Sequence, residues 1–303
     1  MSTLAVSSFS LHRVLGPLRL ERPTPDGGYE EFELPLPREH SLEEFAVLVR
    51  DRLGVTAVEL CQIQFDSSSE PRVEALASAL KVSGVRVLTV PIDVGDLAGG
   101  NVGTRERDVA RIERWFAVAR RLGATYVRVK TGSPITGAAA EERSGLVASL
   151  RTLAVSAERD GMRLLVENHG GPGSDPDFLL GLRAEVGPEH LGILLDLGNF
   201  EPVSTIGHAR LTGETVDESG VDREPVYENI ARLAPVADLV HAKAYDPTSD
   251  GSPLLDLDRA LGIVSASGYE GSVSIEWEGV AGDPWLRTAE TVAAVRAAFP
   301  KLG

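Results

Sequence analysis

Eight short apolar runs alternate along this chain with eight longer segments of helical period, and that alternation constrains the fold more than any other feature. The strand-like runs are Leu4–Ser10, Val55–Phe65, Val85–Asp93, Thr125–Thr131, Arg163–His169, Gly192–Asn199, Leu239–Tyr245 and Ser272–Glu278. The helix-like segments are Ser41–Leu53, Pro71–Val82, Arg105–Leu122, Ala140–Arg159, Pro176–Val186, Pro225–Leu233, Asp256–Ala266 and Pro284–Phe299. Ser41 followed three residues later by Glu44 is a capping box, several helices open on Pro at their first position, and Gly54, Gly84, Gly123, Gly161 and Gly268 stand where helix C-caps need glycine. Parallel strands need a crossover between them, which a helix supplies, so strict alternation dictates a parallel sheet. Eight units in 303 residues is the count for a closed (β/α)8 barrel. An open doubly wound sheet is the alternative, but no glycine-rich dinucleotide fingerprint follows the first strand. No linker or low-complexity tract divides the chain, so a single barrel domain over residues 1–303 is expected.

Two connections are too long for bare turns. Residues 16–40 carry LRLER and YEEFEL on either side of Asp26–Gly27, which predicts a β-hairpin over Leu18–Leu34. Residues 201–224 are long and polar. Both follow strand C-termini, where barrel active sites are built, and long loops there serve as lids or as oligomer-forming insertions.

Composition removes several function classes. A formal charge of -15 argues against nucleic acid, whose phosphates need clustered Lys and Arg. No run of 18 apolar residues spans a membrane, and the N-terminus lacks the basic-then-apolar pattern of a signal peptide. The single cysteine, Cys61, allows no internal disulfide and fits a packed thiol in a reducing compartment. The cytoplasm is the expected location, and a homo-oligomer is left open.

Side chains on a barrel strand alternate between the interior and the helix layer. In Thr125–Thr131 the valines face the helices, which turns Arg128 and Lys130 inward. The same parity turns Glu167 and His169 inward in LLVENHG, Asp196 in GILLDLGN, His241, Lys243 and Tyr245 in LVHAKAY, and Glu276 and Glu278 in SVSIEWEG. Buried unpaired charges cost several kcal/mol each. A bound divalent cation held by Glu167, Asp196, His241 and Glu276 is the simplest remedy, against an interior neutralised only by Lys130 and Lys243. Three carboxylates and one imidazole form a mostly hard donor set, suited to Mn²⁺ first, with Mg²⁺, Co²⁺ and Zn²⁺ as other occupants. Glu278 shares the parity of Glu276 and is the rival ligand.

The VENHGG, LLDLGN, VHAKAYD and SIEWE segments, in that order and spacing, resemble the xylose-isomerase-like sugar isomerase/epimerase superfamily, and the resemblance covers nearly the whole chain. It implies a (β/α)8 barrel with one metal on Glu, Asp, His and Glu of the fifth to eighth strands, positions that match Glu167, Asp196, His241 and Glu276. It further implies that the two metal-bound glutamates act as paired bases on opposite faces of the substrate carbon. The chain departs from particular branches. Asn199 stands where ketohexose 3-epimerases carry a substrate-contacting His, Pro247 lies where they carry an Arg, and the extra zinc-binding histidines of endonuclease IV are replaced by Asp93, Lys130 and Asn199.

Lys130, His169, Asn199, Lys243 and His12 are the expected substrate contacts. His169 also fits a cap on the GGPG turn, and His12 a surface-loop histidine. Glu59 and Gln62 on the second strand read either as sugar ligands or as satisfied interior polar groups. The leading function is a metal-dependent isomerase or epimerase of a sugar or related polyhydroxy carbonyl compound, moving a proton by way of an enediolate. The same site also suits a dehydratase or lyase of a keto-inositol or 3-keto-glycoside, with Lys130 or Lys243 assisting the leaving group. A catalytically silent carbohydrate-binding subunit is the third class, disfavoured by the intact quartet.

Overall fold

The computed structural model describes residues 2–24, 27–66, 68–99, 101–131, 140–218 and 220–302. Strands β1 (Leu4–Ser7), β4 (Ala57–Glu59), β5 (Arg86–Ile92), β6 (Tyr126–Val129), β7 (Arg163–Glu167), β8 (Leu191–Asp196), β9 (Leu239–Ala244) and β10 (Ser272–Trp277) close a parallel barrel in that circular order. The crossovers carry α1 (Leu42–Leu48), α2 (Glu70–Ser83), α3 (Val102–Leu122), α4 (Ala140–Arg159), α5 (Pro176–Val186), α6 (Val203–Thr212), α7 (Glu224–Leu233), α8 (Leu257–Ala266) and α9 (Pro284–Ala298). This is a (β/α)8 TIM barrel. Strands are shorter than the apolar runs that announce them, because those runs continue into buried turns such as Gln62–Gln64. Gln62 therefore sits on a 3₁₀ turn, not on the second barrel strand, and its Oε1 accepts from Asp93 N.

The local signals act as their chemistry requires. Ser41 and Glu44 form the capping box in both directions, and Gly54, Gly84 and Gly123 end their helices in the left-handed region. Residues 201–224 are not a plain loop: α6 lies inside them. Val203, Ile206 and Ala209 are buried at helical spacing, and β-branched and small residues between them mask the period. Among the described residues no helix is long and apolar enough to cross a membrane.

β2 (Leu18–Pro23) and β3 (Tyr29–Leu34) pair antiparallel; Asp26 of their turn lies outside the described residues. The hairpin packs on segments that leave the C-terminal ends of β4 and β5. Leu18 clusters with Cys61 and Ile63, Glu21 Oε1 accepts from Gly95 N at 2.7 Å, and Tyr29 donates at 2.6 Å to Asp108, which is buried on α3. Losing one such bond costs about 1 kcal/mol. Tyr29→Phe is thus expected to speed amide exchange in the hairpin roughly fivefold while leaving barrel amides unchanged. Exchange mass spectrometry checks this, and uniform acceleration over the barrel would refute a local tether.

Candidate active site

A floor of apolar side chains sets the depth of the site. Ala5, Ala57, Leu88, Leu165, Leu194 and Leu239 fill the barrel interior as one cluster, with Tyr126 packed against it. Two residues further along a strand returns to the same face. The next inward side chains on those strands are Glu59, Glu167, Asp196 and His241, with Arg128 above Tyr126. The charges therefore lie between a low-dielectric floor and the C-terminal mouth, where every group is costly unless partnered.

His241 is the hub. Its Nδ1 lies 3.6 Å from Glu167 Oε1, 3.5 Å from Asp196 Oδ2 and 3.5 Å from Glu276 Oε2. Among the described residues the enclosed His241 Nδ1 makes no hydrogen bond, while Glu167 Oε2 and Asp196 Oδ2 otherwise meet only the ion-pair contacts of Arg128 and Lys243. Three carboxylates and an imidazole facing one another with unspent lone pairs fit a hard divalent cation. Glu276, not Glu278, faces the hub; Glu278 is paired with Lys243 at 3.0 Å. Asn168 holds Asp196 in place from the end of β7. Its Nδ2 donates to Asp196 O at 2.8 Å, and its Oδ1 accepts from Asp196 N at 2.7 Å.

Two cations offset part of the negative charge. Lys243 Nζ lies 3.1 Å from Asp196 Oδ2 and 3.0 Å from Glu276 Oε1, and donates to Asn199 Oδ1 at 2.9 Å. Arg128 Nε lies 2.8 Å from Glu167 Oε2, and its Nη1 donates to Asp93 at 2.6 Å. Among the described residues six carboxylates, those of Glu59, Asp93, Glu167, Asp196, Glu276 and Glu278, thus share this region with Arg128, Lys243, the half-buried Lys130, which acts on Asp93, and His241. The salt-bridged alternative is present but incomplete.

The titration directions follow. Burial pushes Glu167 up to about 8, against Arg128 and His241 and with help from Asp196 and Glu276. Burial also opposes ionisation of Glu276, but Lys243 and His241 outweigh it and hold Glu276 below its ordinary value. Lys243 is likewise opposed by burial, yet Asp196, Glu276 and Glu278 hold its ammonium well above the usual lysine range.

The expected substrate contacts divide into two groups. Asn199 and Lys243 lie in the site, Asn199 Nδ2 donating to Glu167 Oε1 at 3.2 Å. Lys130 is half-buried just beyond the end of β6, and His169 is exposed beyond the end of β7; neither makes a hydrogen bond or ion pair with the quartet among the described residues. His12 is not a surface histidine. It is 1% exposed, hydrogen-bonded through Nδ1 to Phe9 O and stacked on Phe9 with centroids 4.8 Å apart. Burial lowers it to about 4, leaving it neutral. Arg128 and Asn168 are site residues that the sequence did not single out as such, while Glu59, read there as a sugar ligand or an interior polar group, meets His241. Arg128 was legible from parity; Asn168 lies past its strand's end, where parity no longer applies.

The family model described as a xylose isomerase-like TIM barrel matches residues 49–298. No curated protein matches the chain. Among solved structures, L-ribulose 3-epimerase is 15% identical with a TM-score of 0.68, covering 99% of this chain and 97% of its own. The 3-keto-D-glucoside 4-epimerase of E. coli is 16% identical with a TM-score of 0.63, covering 98% and 100%. A xylose isomerase-like TIM barrel protein from Mycobacterium smegmatis, in complex with magnesium, is 16% identical with a TM-score of 0.63, covering 98% of each chain. At these identities the structures share the fold. With a family model spanning most of its length and the barrel it describes, this chain belongs to the xylose isomerase-like TIM barrel family.

Proposed function

We propose that the protein is a divalent-metal-dependent isomerase or epimerase of a sugar or related polyhydroxy carbonyl compound. The observation that carries this reading is the convergence of Glu167, Asp196 and Glu276 at the mouth of the barrel on His241 Nδ1, which makes no hydrogen bond among the described residues. Those four residues would hold the cation, and Mn²⁺ is the favoured occupant of so carboxylate-rich a set, with Mg²⁺, Co²⁺ and Zn²⁺ as alternatives. The magnesium in the mycobacterial relative supports a hard divalent ion, and the two epimerase relatives support a sugar-like substrate. A cation bound there supplies Lewis acidity to a carbonyl and its neighbouring hydroxyl, which acidifies the carbon that carries the moving proton.

The chain's own groups do the rest. Glu167 and Glu276 approach the hub from different strands and are the proton-transfer pair. Arg128 holds Glu167 Oε2 and Lys243 holds Glu276 Oε1, so that Glu167 Oε1, which accepts from Asn199, and Glu276 Oε2 face the hub. Asn199 offers an amide beside Glu167, and Lys130, His169 and His12 remain proposed contacts for more distant hydroxyls. A lyase would call on Lys130 or Lys243 to assist a leaving group; the Lys243 ammonium, held by three carboxylates, is a poor acid, and Lys130 makes no ion pair with the quartet among the described residues, which favours proton transfer between the glutamates. The test is elemental analysis after gentle purification, with turnover of a panel of ketoses, keto-inositols and 3-keto-glycosides before and after chelation. About one divalent ion per chain and turnover restored by Mn²⁺ are expected. Full turnover by a thoroughly metal-free sample would sink the reading.

A further inference from the structure

We propose that Glu59 is the positioning residue that fixes the tautomer of His241, so that the imidazole presents Nδ1 to the cation and keeps its proton on Nε2. The inference rests on the metal reading above. Glu59 belongs to β4, which is separated from β9 around the barrel by β1 and β10. Its side chain nevertheless reaches the imidazole, with Oε2 2.8 Å from His241 Nε2 and no exposed surface on Glu59. With the Glu59 carboxylate as acceptor in this contact, Nε2 is the donor. With the Nε2 proton held by Glu59, Nδ1 is the nitrogen left to take a cation, giving up its own proton first where the ring is charged.

The spacings separate this arrangement from its rival. Glu59, His241 and Glu276 also come close enough together to suggest an ion between them, with Glu59 as a direct ligand. Two ligands of an ion at about 2.1 Å lie about 3.0 Å apart in an octahedron and about 3.4 Å apart in a tetrahedron. The contact between Glu59 and Nε2 is shorter than either, and is a hydrogen bond. The three carboxylate contacts of Nδ1, at 3.5–3.6 Å, lie near the tetrahedral spacing. Glu59 Oε1 has no hydrogen bond among the described residues, so the carboxylate is not engaged elsewhere. A carboxylate behind a ligating histidine orients the ring and raises its basicity.

The test combines ¹⁵N-histidine NMR of the zinc-loaded protein with Mn²⁺ calorimetry. His241 is assigned by the signal lost in His241→Asn. Wild type is expected to show a protonated Nε2 and a zinc-shifted Nδ1. Glu59→Leu should bind Mn²⁺ about 10- to 100-fold more weakly and populate the Nδ1-protonated tautomer when metal-free; Glu59→Gln, which keeps an acceptor oxygen, should lose less. Zinc on Nε2 in wild type, or equal Mn²⁺ affinity in all three proteins, would overturn the proposal. Should Glu59→Leu fail to fold, the wild-type spectrum decides alone. A wild type that binds neither ion overturns the metal reading itself and the proposal with it, an outcome distinct from binding through the wrong nitrogen.

Discussion

Asp196→Asn should abolish metal binding and turnover together while leaving the barrel folded. Asp196 is fully enclosed, so Asn is a cleaner change than Ala. Its Oδ1 can still accept from Gly198 N, a bond of 2.8 Å in the native site, and Asn168 still holds its backbone. What disappears is one negative ligand 3.5 Å from His241 Nδ1. Residues that only orient a ligand cost 10- to 100-fold in metal affinity, so loss of a ligand should cost more than about 100-fold. Lewis-acid stabilisation is worth several kcal/mol, and each 1.36 kcal/mol is tenfold in rate; turnover should fall on the order of 10³-fold. Removing the charge relieves repulsion with Glu167 and Glu276 but also loses the ion pair with Lys243 at 3.1 Å, which leaves Lys243 with Glu276 and Glu278, so the metal-free variant should stay folded but melt below metal-free wild type. Calorimetry, turnover and thermal melts give the three readings. Unchanged Mn²⁺ affinity with lost turnover would move Asp196 from ligand to substrate contact.

The legible part of this site is the part that strand period controls. Leu165 and Glu167, Leu194 and Asp196, and Leu239 and His241 are pairs two residues apart, each with a floor residue below and a proposed ligand above. Any reading of alternation places the second member inside, and the closed barrel gathers them. Glu276 and Glu278 have the same parity, and only their distances from His241 and Lys243 separate them. Glu59 has the right parity too, but its role depends on reaching a strand across the barrel. That reach is set by register and closure, including the shift between Val58 and Glu59 in the pairing of β4 with β5, and local sequence does not encode it. The burial of His12 and the place of Asn168 are not legible for a related reason. Both lie beyond strand ends, where the backbone turns and a polar side chain can be buried against backbone carbonyls and amides. The helix within residues 201–224 was hidden by a polar surround, although the buried Val203, Ile206 and Ala209 carry its period.

Each of Glu167→Gln and Glu276→Gln also exchanges a charged ligand for a neutral one, so the assay is run at saturating Mn²⁺, where turnover should still be lower by about 10²- to 10⁴-fold, the usual worth of a positioned general acid or base. The two carboxylates approach His241 Nδ1 at 3.6 and 3.5 Å from β7 and β10. A substrate seated between them would offer one face to each. Arg128 on the far oxygen of Glu167 and Lys243 on the far oxygen of Glu276 keep each near oxygen aimed inward, and Gln keeps the shape while removing the base. If one glutamate abstracts the proton and the other returns it on the opposite face, each single variant should stall the overall reaction. The variant that retains the abstracting base should still wash substrate hydrogen into solvent. Mass spectrometry of substrate recovered from D₂O reads this directly. The full reaction in D₂O should return product that differs from substrate by deuterium at the reacting carbon and by nothing else. Product lighter by water, or release of an aglycone, would replace isomerisation or epimerisation with elimination, because the carbanion formed by the same base would then expel a neighbouring group instead of taking a proton back.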